Sequence, residues 1–453
     1  MRPAGLALEQ APPITVPFRF FLTAPLFLLA AAAVLVWDGA AALTWRGSPA
    51  ALAATHFVTL GFMTMVMAGA LLQMLPVLAG APVPQVRAVA TLVHATLALG
   101  AAALGGGFLL GRPLLLELGA WLLGGAVAVL AAAGAAALAR AAVRNATTRG
   151  MSLALAALVV AVVLGLLLVA THAFGRPLIN LAARALHPAW GLFGWTGLLV
   201  AAVALQVVPM FQMTPRYPDA LARWFTPLAF AALVSWSLAA WYSSGWRVQL
   251  GFGLALAAGG ALFALTTLAL QRRRRRRLTD VTTTFWQIGM ICALAACVAW
   301  AVQLAAPGER PALEVAIGVL ALVGFAVSVI DGMLYKIAPF LAWFHLQAAV
   351  GARRAPHMKK ILGDAPQLVH LALHAAAVVL LVAAAAWPEP LARIAGLVLA
   401  LSALVLLRNL IVAARRYRTD AARGPGPAQP TALRAAARTA SRIPGRALPA
   451  RRA

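Results

Sequence analysis

Twelve apolar runs, each long enough to cross a lipid bilayer, constrain this chain more than any other feature. They lie at about residues 17–37, 51–79, 88–110, 114–138, 151–173, 188–212, 221–243, 248–270, 282–305, 312–345, 366–387 and 391–413. A spanning helix needs about 20 apolar residues. An unpaired backbone is too costly in hydrocarbon, so each run is expected to be helical. Composition agrees: 63% of the 453 residues are hydrophobic and 11% charged, against about 25% charged in a soluble domain. The expectation is an all-α polytopic membrane protein whose main partner is the lipid bilayer.

Within this series one pattern occurs three times, about 130 residues apart. Leu60-Gly61-Phe62, Phe193-Gly194-Trp195 and Val323-Gly324-Phe325 are each followed by a proline fifteen residues after the glycine, at Pro76, Pro209 and Pro339. The period is too long for a solenoid of small units. The pattern falls on the second, sixth and tenth runs. It therefore implies a four-helix unit used three times, over about 17–138, 151–270 and 282–413. An even number of helices per unit keeps successive copies in the same orientation. Residues 1–16 are polar and contain Pro and Glu, so no cleaved leader is expected. Residues 414–453, rich in Arg, Ala, Pro and Gly, are expected to form a disordered basic tail.

The net charge of +26 does not indicate a nucleic-acid partner, because the arginines sit in loops and at the C-terminal end. Arg140, Arg144, Arg149, Arg216, Arg223, the run Arg272–Arg277, Arg353, Arg354, Lys359, Lys360 and the tail fall on one side; the other side holds scattered single charges. By the positive-inside rule both termini are cytoplasmic, and a bacterial cytoplasmic membrane is the expected location. Cys292 and Cys297 share one apolar run five residues apart and read as packing residues.

Ionisable groups inside a membrane are costly and mark functional positions by default. On this orientation His56, His172 and His187 lie near the outer face, at the ends of the second, fifth and sixth runs. Two neutral imidazoles from different helices at one depth can clamp a haem iron. His56 and His187 meet that requirement, with His172 a third candidate; the other reading is interfacial histidines bonded to water or backbone. In the inner half, His370 and His374 are four apart and share a helix face, with His94 at comparable depth. The three either ligate a metal such as copper or form a polar stripe between helices. Asp331 and Lys336 lie deep in the tenth run, each expected to find a polar partner such as Gln73 or Gln206; the other readings are a proton path through Tyr335 and Lys336, or a haem propionate on Lys336.

Twelve helices, a motif on helices 2, 6 and 10, and an outer histidine on helix 2 resemble subunit I of the haem-copper oxidases. That resemblance implies a pseudo-threefold, cytochrome c oxidase subunit I-like ring with His56 as an axial ligand of a low-spin haem. His187-Pro188 is similar to the His-Pro that supplies a copper ligand in that family. The stretch from Thr55-His56 through Leu60-Gly61-Phe62 to Leu75-Pro76 also resembles the NnrS proteins, relatives associated with haem, copper and nitric oxide stress. The chain departs from the oxidases in lacking a His-x-His on helix 10 and a His-His pair on helix 7. The implied role is in respiration, denitrification or nitric oxide tolerance, beside an electron-donor subunit and without the oxygen-reducing centre. A transporter or an assembly partner of a respiratory complex, without a redox cofactor, is the alternative.

The charge bias yields a direct expectation. Reporter fusions after the second and third runs should fall on opposite sides of the membrane. Labelling of the Arg272–Arg277 loop from outside intact cells would overturn the assigned depths.

Overall fold

The computed structural model describes residues 8–141, 143–175, 177, 180–275, 280–306, 308–351 and 355–423. Arg176, Arg276, Arg277, Arg353, Arg354 and the chain beyond residue 423 lie outside the described residues. Among the described residues, twelve helices are long and apolar enough to cross a membrane. They are α1 (Thr15–Asp38), α2 (Pro49–Ala79), α3 (Val86–Leu110), α4 (Pro113–Ala139), α5 (Ala146–Ala173) and α6 (Ala183–Gln212). The second half comprises α7 (Asp219–Trp241), α8 (Trp246–Arg272), α9 (Val281–Ala305), α10 (Pro311–Val350), α11 (Asp364–Ala386) and α12 (Pro388–Ala421). The protein is thus an all-helical, multi-pass membrane protein.

Local chemistry sets the helix ends. Pro49, Pro113, Pro311 and Pro388 occupy the first turns of α2, α4, α10 and α12, where a missing N–H costs nothing. Ser48 caps α2 by accepting from the Ala51 N–H at 3.1 Å. Asn145 and Thr148 cap α5 reciprocally. Asp280 caps α9 by accepting from the Thr283 N–H at 2.8 Å. Gly80 and Gly111 end α2 and α3 in the left-handed conformation. The exposed indoles of Trp37, Trp45, Trp246 and Trp387 lie at or just beyond span ends, where interfacial anchors belong.

One boundary differs from the sequence reading. α12 continues to Ala421, through the first residues assigned to the basic tail. Ala414, Tyr417 and Ala421 pack on the core, continuing the stripe of Leu410 and Ala413, while Arg415, Arg416 and Arg418 face outward. The helical period therefore carries an amphipathic turn past the end of the apolar run.

Neighbouring helices pack in sequence, and α12 lies against α1, so the bundle closes on itself. The sixth and tenth spans touch each other, and both touch the second. α2 is the most enclosed: 78% of its apolar window is buried, against 22% for α7. Each of the three central helices changes from α to π geometry where the repeated motif lies, over Phe57–Thr64, Trp190–Gly197 and Leu320–Val327. The motif glycine is the fifth residue of each π segment. π turns are rare and widen the helix locally. Here they coincide with close approach. A Cβ on Gly194 would sit 2.7 Å from the Ala157 Cβ, and one on Gly324 would sit 2.7 Å from the Cys292 Cβ. A Cβ on Gly61 would overlap the Phe27 ring. Trp195, also in a π segment, donates from Nε1 to Thr64 Oγ1 of α2 at 3.2 Å. The two cysteines are free and buried: Cys292 packs on Gly324, and Cys297 on Gly260.

These contacts predict an asymmetry among glycines. Gly194→Ala and Gly324→Ala should each destabilise the folded protein by roughly 1–3 kcal/mol through overpacking. Gly125→Ala, on a helix position with open space around it, should be neutral or stabilising by up to about 1 kcal/mol. Thermal unfolding in detergent reads the difference, and equal effects at all three positions would contradict this packing.

Candidate functional site

His56, His187 and His172 come together. His56 ends the α-helical first part of α2, immediately before its π segment. His187 lies three residues before the π segment of α6. Their rings are near-parallel, with planes 22° apart and centroids 6.2 Å apart. Phe108 of α3 stacks on His56 at 5.5 Å and meets His172 of α5 edge-on at 6.1 Å. His172 thus borders the pair through Phe108, and is itself exposed.

Hydrogen bonds select the tautomer of both central rings. His56 Nδ1 lies 2.7 Å from the Leu52 carbonyl one turn earlier on its own helix. His187 Nδ1 lies 2.9 Å from the Ala161 carbonyl of α5. A carbonyl only accepts, so each Nδ1 carries the proton and each Nε2 carries the lone pair. No described protein group bonds either Nε2. This is the usual second-sphere arrangement of a metal-ligating histidine, whose other ring N–H is tied to a carbonyl or carboxylate. The His187 ring rests on Gly165, where an added Cβ would lie 3.0 Å from Cε1. Glycine at that position gives the ring room between α5 and α6.

The donor set available here is two neutral imidazole nitrogens from different helices, on rings whose centres are 6.2 Å apart. Nitrogen donors of this kind suit a haem iron or copper. Among the described residues no group of three or more His, Cys, Asp or Glu side chains could hold a metal ion.

The inner histidines separate into two places, which corrects the expected grouping of His370, His374 and His94. His94 Nε2 is 2.9 Å from Thr23 Oγ1 of α1, and its ring meets Phe20 edge-on at 5.2 Å. It joins α3 to α1. His370 and His374 instead face Asp331 of α10, at 3.5 Å and 3.7 Å from Oδ2. All three side chains are fully buried.

The expected partners of Asp331 and Lys336 are also corrected. Neither meets Gln73 or Gln206. Lys336 Nζ lies 2.9 Å from Asp280 Oδ2 at the start of α9. Partial burial works to raise the Asp280 carboxyl. The Thr283 N–H and the Lys336 ammonium outweigh it and hold the group below the usual carboxylate range. Tyr335, Ser328 and Asn409 complete the Asp331 surroundings. Their signal was present in the sequence: Ser328, Asp331 and Tyr335 follow i, i+3, i+7 spacing, a polar stripe on one face of α10.

No protein-family model matches this chain, and no curated protein matches it. A haem-copper terminal oxidase dimer solved by cryo-electron microscopy has a similar fold. The TM-score is 0.56 with 11% sequence identity, over 90% of this chain and 84% of that one. The chain therefore shares the fold of that haem-copper terminal oxidase chain.

Proposed function

We propose that this protein is a membrane haem protein in which His56 and His187 form the axial pair, and that it lacks an oxygen-reducing centre. The observation that supports this reading most is the pair itself: two near-parallel imidazoles 6.2 Å apart, each with Nδ1 tied to a backbone carbonyl. Haem bound there supplies one-electron chemistry. The chain's own contribution is to orient the ligands. The Leu52 and Ala161 carbonyls hold both Nδ1 protons and make each Nε2 a better donor. Phe108 covers one face of His56, and Gly165 lets His187 sit against α5.

The absence of further ligands supports a role short of oxygen reduction. α7 contains no histidine, and the histidine of α10, His345, lies near the helix end opposite the pair. Respiration, denitrification or nitric oxide tolerance, in the manner of the NnrS proteins, then places the protein beside an electron-donor subunit. Copper is the other metal this donor type suits, with His172 as the neighbouring imidazole. The proposal includes the bacterial cytoplasmic membrane, cytoplasmic termini, and descent from a tripled four-helix unit. Matching π segments and glycines on α2, α6 and α10 support that descent. One observation favours the alternative of a proton-coupled carrier: the buried carboxyl and imidazole cluster on α10 and α11.

The test is the visible spectrum of protein purified from haem-replete cells. Wild type should show a Soret band. His56→Ala and His187→Ala should abolish or shift it, and His357→Ala, at the start of an exposed turn, should leave it unchanged. Wild type without haem, or a His56 variant with an unaltered band, would overturn the proposal.

A further inference from the structure

Asp331 is the only fully buried acid among the described residues, and neither of its oxygens has a hydrogen-bond partner. Its Oδ2 faces two ring nitrogens that also lack partners, His370 Nε2 and His374 Nδ1. An isolated carboxylate in such a place would carry a severe desolvation cost. The far side of each imidazole is anchored. His370 Nδ1 is 2.8 Å from the Tyr335 hydroxyl, and His374 Nε2 is 2.7 Å from Ser328 Oγ.

Counting donors and acceptors gives the cluster a direction. Asn409 Nδ2 lies 3.1 Å from the Pro366 carbonyl and 2.9 Å from the Tyr335 oxygen. The carbonyl only accepts, so the amide nitrogen is the group placed there, and it donates to Tyr335 as well. The Tyr335 O–H then donates to His370 Nδ1. This leaves His370 Nε2–H aimed at Asp331. At the other end Ser328 Oγ is within 3.5 Å of the Val323 carbonyl, again an acceptor only. The Ser328–His374 Nε2 contact, at 2.7 Å, is the shorter of the two, and either atom can donate across it. His374 Nδ1 faces Asp331 Oδ2 at 3.7 Å. With the carboxyl proton on Asp331 and both imidazoles neutral, the whole cluster is uncharged. Without that proton, a carboxylate charge remains fully buried with no hydrogen bond to either oxygen.

We infer that Asp331, His370 and His374, with Tyr335 and Ser328 at either end, form a proton store inside the membrane, closed at its surface-facing end by Asn409. The ligand is a single exchangeable proton. Within the cluster the proton can pass from the Asp331 carboxyl to the facing His374 nitrogen, one O–H bond breaking and one N–H bond forming, which leaves carboxylate beside imidazolium with no change in net charge. The chain is capped at both ends by groups that cannot pass a proton, the Asn409 amide and the Val323 carbonyl. Val323 belongs to the π segment of α10, deep in the bundle, while Pro366 lies in the first turn of α11. The Asn409 cap is thus the one nearer the end that carries the basic loops. From Tyr335 to Ser328 the store runs seven residues of α10, about 10 Å along the helix. From α9 the Phe285 ring packs on Tyr335 and both imidazoles, and Thr282 and Trp286 flank Gly332 beside Asp331. The nearby charges are engaged elsewhere: Lys336 with Asp280, and Arg408 with the Asn409 carbonyl oxygen at 3.4 Å. This inference does not depend on haem being bound.

Infrared spectroscopy of the full chain in liposomes tests it. Wild type should show the C=O stretch of a protonated, buried carboxyl at neutral pH. The band should shift slowly after transfer to heavy water and be missing from Asp331→Asn. Asn409→Leu should retain the band and shift it faster, because the cap is gone. Should Asp331→Asn fail to fold, Tyr335→Phe serves instead. It keeps the ring packing and removes the donor that sets the His370 tautomer, so the band should move in frequency. The inference is overturned if the band is missing from wild type or persists in Asp331→Asn, or if Tyr335→Phe leaves it unmoved. It is equally overturned if wild type binds stoichiometric zinc or copper that Asp331→Asn loses, since the cluster would then be a metal site. Exchange equally fast in wild type and Asn409→Leu would remove the assigned cap.

Discussion

Close approach of helices at three glycines is the constraint on which the rest of this structure depends. In a bilayer, burying apolar side chains against one another gains little, because lipid tails are equally apolar. Packing then rests on how near the backbones can come. Gly61, Gly194 and Gly324 each sit where a Cβ would collide with a neighbour: Phe27, Ala157 or Cys292. The π geometry around each glycine widens the turn while the missing side chain narrows the gap to the adjacent helix. Together they let α2, α6 and α10 occupy the middle of the bundle and touch through these segments. Both polar clusters lie beside them. His56 precedes one π segment by one residue, His187 precedes another by three, and Ser328 follows the third.

The two clusters illustrate opposite ways of keeping histidine in a membrane. In the outer pair each ring spends one nitrogen on a backbone carbonyl and leaves the other without a protein partner. In the inner cluster both nitrogens of each ring face protein groups, and a proton on Asp331 leaves the whole cluster uncharged. The first arrangement suits an incoming ligand; the second suits a resident proton. A buried polar group left half-matched costs more than an apolar replacement would. Retaining three ionisable side chains at full burial therefore points to use, since Leu or Met would pack there at less cost.

Much of the fold was legible before the structure. Length and hydropathy of the runs gave all twelve spans, because a bilayer imposes one element type and one length. The Gly-to-Pro spacing located the three central helices. It could not disclose the π turns, since i→i+5 bonding leaves no mark in composition. The end of α12 was misplaced for a related reason: Ala414, Tyr417 and Ala421 keep the helical period after hydropathy has collapsed under arginines. Depth alone brought His56, His187 and His172 to one neighbourhood. It failed for His94, because equal depth does not say which helices adjoin, and α3 turned out to face α1. The partner of Asp331 was hidden likewise. A stripe on α10 and an i, i+4 pair on α11 were each readable, but only the packing shows that they face each other.

The central claim is that His56 and His187 act as one axial pair, and electron paramagnetic resonance of the purified, oxidised protein addresses it most directly. Two neutral imidazoles on one ferric iron produce a low-spin signal. Wild type should give that signal, and both His56→Ala and His187→Ala should lose it. A high-spin signal in wild type, or a low-spin signal that survives both substitutions, would contradict it.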